Sequence, residues 1–108
     1  MKFENRTAFI TGAAGRIGRA LAEEFGKHGV KLYLADINLS GLETLCAGLE
    51  KQGIEAHPVQ LNVMDRGQID KTAQKVLAEA GKVDILVNNA GNGREAVFWI
   101  PATSNGRK

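Results

Sequence analysis

The segment from Thr7 to Phe25 constrains the fold more than any other part of the chain. An apolar run, Thr7-Ala8-Phe9-Ile10, leads into Thr11-Gly12-Ala13-Ala14-Gly15-Arg16-Ile17-Gly18. That loop opens a stretch carrying Ile17, Ala20, Leu21, Ala22 and Phe25 along one helical face. Strand, glycine turn and helix, in that order, form the first half of a βαβ unit. Gly12 permits a tight turn off the strand, and Gly18 lets the helix start pack close to it. Small residues between them, with Gly15 as the middle glycine, let backbone N–H groups approach a pyrophosphate. The helix N-terminus favours that negative charge.

The alternation continues downstream. Val30 to Ile37 is nearly continuous in apolar residues, as in a strand covered on both faces. Ser40 and Glu43 have capping-box spacing ahead of Leu42, Leu45, Cys46 and Leu49, and Gly29 and Gly53 close the first two helices. Ile54 to Val63 reads as a third strand, placed at an edge by Pro58. Asp65 and Gln68 cap a third helix whose apolar face is Ile69, Ala73, Val76, Leu77 and Ala80, ended by Gly81. Val83 to Val87 is the fourth strand.

This order predicts an α/β fold: a Rossmann-like parallel sheet, strand order 3-2-1-4, forming part of a doubly wound sheet. Residues 1–91 read as a dinucleotide-binding half-domain and 92–108 as an irregular tail. The first two helices cover one face of such a sheet and the third alone covers the other. Ile85, Leu86 and Val87 are then expected on an unpaired edge, open to self-association.

Asp36 ends the second strand, eighteen residues past Gly18. A carboxylate there accepts hydrogen bonds from a ribose 2′-hydroxyl and repels a 2′-phosphate, which favours NAD over NADP. The plainer alternative is that Asp36 only begins a turn with Asn38. Arg16, beside the loop, pulls the other way because a guanidinium can meet a phosphate.

Composition narrows the remaining classes. The 44% hydrophobic and 24% charged content is that of a globular protein, and the net charge of +2 comes from scattered residues. No basic stripe with interleaved aromatics supports nucleic-acid binding. No apolar run reaches the roughly 20 residues that span a bilayer, and the N-terminus is no signal peptide. The single cysteine, Cys46, fits a reducing compartment, and the cytoplasm is the expected location. His28 and His57 lack metal-ligand spacing, so no metal is expected. Ser104 has no paired base.

The glycine loop, Asp36, Leu61-Asn62-Val63 and Asn88-Asn89-Ala90-Gly91 together resemble the short-chain dehydrogenases/reductases, over about residues 3–93. The resemblance implies that Gly12, Ile17 and Gly18 line the pyrophosphate and nicotinamide-ribose side. It implies that Asn62, where the family usually has aspartate, accepts from the adenine amino group while the Val63 N–H donates to the ring. Asn89, Ala90 and Gly91 would border the cofactor ribose, and Asn88 would tie the fourth strand to its neighbours.

Two departures from the family pattern stand out. Arg16 replaces the commonest loop glycine, so the loop spacing matches the family's extended branch while Asn88-Asn89-Ala90-Gly91 matches its shorter one, and the subgroup stays open. The family's hydride transfer resembles chemistry run by a tyrosine with a lysine four residues on. Here the only tyrosine is Tyr33, followed at that distance by Ile37. The implied function is the NAD(P)-binding portion of such an oxidoreductase, truncated before its catalytic residues and inactive alone. A non-catalytic nucleotide-binding module and a nonfunctional fragment are the alternatives.

Overall fold

A computed structural model of the chain describes residues 4–88 and the backbone of 96–99. The elements are β1 (Thr7–Thr11), α1 (Arg16–Lys27), β2 (Lys31–Asp36), α2 (Leu39–Lys51), β3 (Ala56–Gln60), α3 (Arg66–Ala80), β4 (Ile85–Asn88) and β5 (Ala96–Trp99). They form one sheet in the order β3-β2-β1-β4-β5. The first four strands are parallel, with β1 between β2 and β4 and β3 at the edge. The order 3-2-1-4 is therefore present as expected.

The tail departs from expectation. β5 runs antiparallel to β4, with Ile85 opposite Trp99 and Val87 opposite Val97. The β4 edge expected to lie open is therefore paired. Ala-Val-Phe-Trp is a β-prone sequence, and an unpaired ladder beside it supplies the hydrogen bonds. Four residues are too few for periodicity to reveal such a strand.

The two faces of the sheet are covered unequally. Ala8, Ile10, Leu32, Leu34, Ala56, Ile85 and Val87 pack beneath Ala22 of α1 and Leu42, Leu45, Cys46 and Leu49 of α2. Burying a side chain of this kind contributes about 1.5–3 kcal/mol each, so this layer is the main source of stability. The in-register row Phe9, Tyr33, His57 and Leu86 lies on the other face, where Tyr33 stacks on His57 with ring centroids 4.7 Å apart. There α3 buries Val76, while Ile69 and Leu77 stay exposed. Of the apolar face expected for α3, only Val76 is fully buried. One helix cannot enclose a face that needs more than one.

Two local expectations change. α1 does not sit on Ile17 and Ala20: its buried residues are Gly18, Ala22 and Gly26, flanked by the partly buried Leu21 and Phe25. A Cβ at Gly26 would lie 2.7 Å from the Ile54 side chain, so small residues seat this helix closely. Nor does Ser40 cap α2. Asn38 is the N-cap, accepting from Gly41 N–H at 3.0 Å, and Ser40 Oγ donates to Asn38 Oδ1. An amide oxygen at that position reaches the third N–H and leaves Ser40 inside the first turn. Asp65 caps α3 as expected, and Gly29, Gly53 and Gly81 follow the three helices at φ near +80°. No helix among the described residues is long and apolar enough to cross a membrane.

Candidate functional site

The C-terminal ends of β1, β2 and β3 bring most of the expected residues together. Gly12 leaves β1 at φ 64°, a conformation that L side chains strain to adopt. The chain then curls so that Gly15 N–H donates to Gly12 O at 3.1 Å. A Cβ on Gly18 would overlap the Gly12 carbonyl oxygen and lie 2.7 Å from Ala13 Cα. The helix start therefore touches the strand exit, which only glycine allows. Gly15 is the N-cap of α1 and no side chain caps that end, so its first turn faces outward with Arg16 and Ile17 exposed. Uncapped N–H groups at a helix start suit a bound anion.

Asp36 joins this loop to the end of β2. Its Oδ2 accepts from Ala14 N–H at 3.0 Å and its Oδ1 from Asn38 N–H at 3.0 Å. Asp36 does begin the turn with Asn38, and it also anchors the glycine loop. Each carboxylate oxygen keeps a further lone-pair direction, and the residue is partly exposed. Ala13 N–H donates to Ala35 O at 3.0 Å, tying the loop to β2 a second time.

Asn62 and Val63 follow β3 at the same end of the sheet. Leu61 N–H donates to Asp36 O at 3.0 Å and Gln60 Nε2 to Ile37 O at 3.2 Å, so the ends of β2 and β3 are cross-linked. Asn62 Oδ1 accepts from Met64 N–H at 3.0 Å. Ile17, Ile37, Leu39 and Met64 leave apolar surface exposed around the polar groups. Beyond β1, Thr11 Oγ1 donates to Asn88 Oδ1 at 3.1 Å, linking β1 to β4. Asn89, Ala90 and Gly91 lie outside the described residues.

Sequence reasoning passed over several contributors. Ala14 supplies the N–H that holds Asp36, Asn38 serves as a cap and Gln60 braces the loop after β2, while Gln68, expected only at the cap of α3, also braces the loop after β3. Asn38, three residues before Gly41, was the one legible signal. Asp84, inside the segment expected as the fourth strand, is another residue passed over. It is fully buried at the opposite end of the sheet, where its Oδ2 accepts from Thr7 N–H at 2.8 Å and its carboxylate lies 3.4 Å from Arg6 Nη1 and Lys82 Nζ.

A cavity of about 280 Å³ also lies at that opposite end, lined by Arg6, Lys31, Glu55 and Lys82 among others. Its cations are already paired, Arg6 and Lys82 with Asp84 and Lys31 with Glu55 at 3.8 Å. It contains none of the loop residues. Among the described residues, acceptors with room left and the Arg16 and Ile17 N–H groups meet at the C-terminal end, where open parallel sheets bind ligands.

Known proteins share this arrangement. The family model for short chain dehydrogenase matches residues 6–101. Mouse estradiol 17-beta-dehydrogenase 11 is 49% identical over 82 residues, 76% of this chain and 28% of that protein. A 3-oxoacyl-acyl-carrier-protein reductase of Thermotoga maritima is 38% identical over 98 residues, 91% of this chain and 40% of the reductase. The crystal structure of an NAD+-bound xylitol dehydrogenase superposes with a TM-score of 0.81 at 34% identity, over 85% of this chain and 35% of that one. The chain thus spans 28–40% of the length of these relatives. With its loop, its acid and its sheet order in place, the chain belongs to the short-chain dehydrogenase family.

Proposed function

We propose that the chain is the cofactor-binding portion of a short-chain oxidoreductase and that its crevice takes NAD in preference to NADP. The observation that carries this reading is the Asp36 carboxylate, fixed by Ala14 N–H and Asn38 N–H at 3.0 Å each, at the mouth of an uncapped helix start. The α1 end would hold the pyrophosphate, and Asp36 the adenosine ribose. Asn62 and Val63 would face the adenine. Ile37 and Met64 would supply apolar cover for flat rings.

The residues present fit the group. A side chain at Gly18 would fill the place where the helix start meets the strand exit, and the missing cap leaves N–H donors for phosphate oxygens. A 2′-phosphate would bring negative charge against Asp36, which supports NAD over NADP; Arg16 is the residue that would soften this preference. Bound nicotinamide supplies a hydride donor or acceptor. The 108 residues hold no Tyr-x-x-x-Lys to serve that transfer. Tyr33 lies within β2, stacked on His57 and with Ile37 four residues on, and burial, then the charges of Glu79 and Glu55, push its hydroxyl above the ordinary value. We therefore expect no turnover by these residues alone. Buried Cys46 suits a reducing compartment, and we place the chain in the cytoplasm.

Calorimetric titration with NAD and with NADP tests the reading. NAD should bind, and NADP at least about ten-fold more weakly, the scale of one lost charge-assisted contact. A folded chain that takes up neither nucleotide overturns it.

A further inference from the structure

The start of α3 holds an unusual set of bonds. Asp65, its N-cap, accepts from Gln68 N–H at 3.2 Å. In a reciprocal capping box the Gln68 side chain would return a bond to the Asp65 N–H. That N–H instead donates to Asn62 O at 3.0 Å. Gln68 Oε1 reaches past the cap and accepts from Asn62 N–H at 3.0 Å. Gln68 Nε2 donates to Asp65 Oδ2 at 3.3 Å, which orients the amide with its oxygen toward Asn62. With Asn62 Oδ1 accepting from Met64 N–H, these bonds close Asn62 to Asp65 into a braced turn. The Val63 N–H stands outside the set.

We propose that Gln68 is a positioning residue for the adenine end of the crevice. Resting on the dinucleotide reading above, it acts through Asn62. Holding the Asn62 backbone sets the direction of the remaining lone pair on Asn62 Oδ1 and of the Val63 N–H. Gln68 itself sits on α3 and does not touch the ligand. The cross-links from β2 to Gln60 and Leu61 fix one end of this loop, and Gln68 fixes the other.

The test titrates the 108-residue chain with AMP and, separately, with inorganic pyrophosphate, while NMR follows hydrogen exchange at the Asn62 N–H. Gln68→Met keeps side-chain length without an acceptor, and Gln68→Glu combined with Asp65→Asn keeps the acceptor, the cap oxygen and a donor between the two side chains. Gln68→Met should weaken AMP binding about five-fold, the effect of one net hydrogen bond. It should leave pyrophosphate binding unchanged and speed Asn62 exchange. The Gln68→Glu, Asp65→Asn pair should hold both AMP affinity and Asn62 protection near wild type. Where Gln68→Met does not fold, Gln68→Ser, too short to reach Asn62, takes its place. Unchanged AMP affinity in the acceptor-free variant overturns the positioning role alone, as does equal loss in both variants. A wild-type chain that binds neither AMP nor NAD removes the dinucleotide reading and this role with it.

Discussion

Two aspartates mark opposite ends of the same sheet, and the protein uses them differently. Asp84 is fully buried, and its oxygens are taken up by Thr7 N–H, Arg6 and Lys82. Asp36 is partly exposed, with each oxygen accepting one backbone N–H and keeping room for another donor. A carboxylate saturated by its own protein holds strands together. One left half-satisfied beside uncapped helix donors is available to a ligand. The lesson is that the count of remaining lone pairs, together with burial, separates a structural acid from a candidate binding acid of the same type.

The comparison breaks most readily at Asp84. Asp84→Ala should cost about 3 kcal/mol, because it orphans a buried N–H and unpairs two cations. Thermal melting should fall by at least about 10 °C for a domain of this size, while the folded fraction keeps its NAD affinity. Next in size is Gly18→Ala. Its new Cβ must displace backbone at Gly12 and Ala13, and we expect a loss of about 2 kcal/mol in stability with NAD binding weakened in parallel. Asp36→Ala should reverse the Asp84 pattern, losing about ten-fold or more in NAD affinity by calorimetry and less in melting temperature. If Asp84→Ala instead abolished binding in folded protein, or Asp36→Ala mainly unfolded the chain, the division between the two ends would not stand.

The smallest effect concerns pH at the Asp84 end. A hydrogen bond from His57 at 2.8 Å holds the Glu55 carboxyl below its ordinary 4.5, with Lys31 assisting and burial opposing. The folded state thus favours the ionised form. Its contribution is complete above that ordinary value and is lost as pH falls through the lowered one. Both partners are substantially exposed, so the gain is on the order of 0.5 kcal/mol or less. Acid titrations of melting temperature should be slightly flatter for His57→Gln than for wild type.

Much of the glycine-loop end was legible because its requirements are local. A turn at positive φ needs Gly12, a close approach needs Gly18, and the acid must follow the second strand, so these residues announce themselves by spacing. Asp65 and Gly81 were legible for the same reason. What escaped depends on distant partners. Asp84 looks like any strand residue until Thr7, Arg6 and Lys82 surround it. Ile69 and Leu77 look like core until the sheet face they serve is seen to carry one helix among the described residues. Asn38 outcompetes Ser40 for the α2 cap through geometry that residue type alone does not rank. β5 forms because β4 offers it a ladder, a cause absent from its own four residues.

The bed beneath α1 has a consequence for how the chain tolerates change. Along the line Gly18, Ala22, Gly26, the start of the helix rests on the backbone of Gly12 and Ala13 and its far end on the Ile54 side chain. The seat is therefore fixed by backbone at one end and by a packed isoleucine at the other, and a single added methyl at either would act as a wedge. A wedge under Gly26, far from the glycine loop, would tip the rod about its middle and swing the other end away from the strand exit. Drift in this family member should then be most restricted where it has the least to see: hydrogen atoms on one side of one helix.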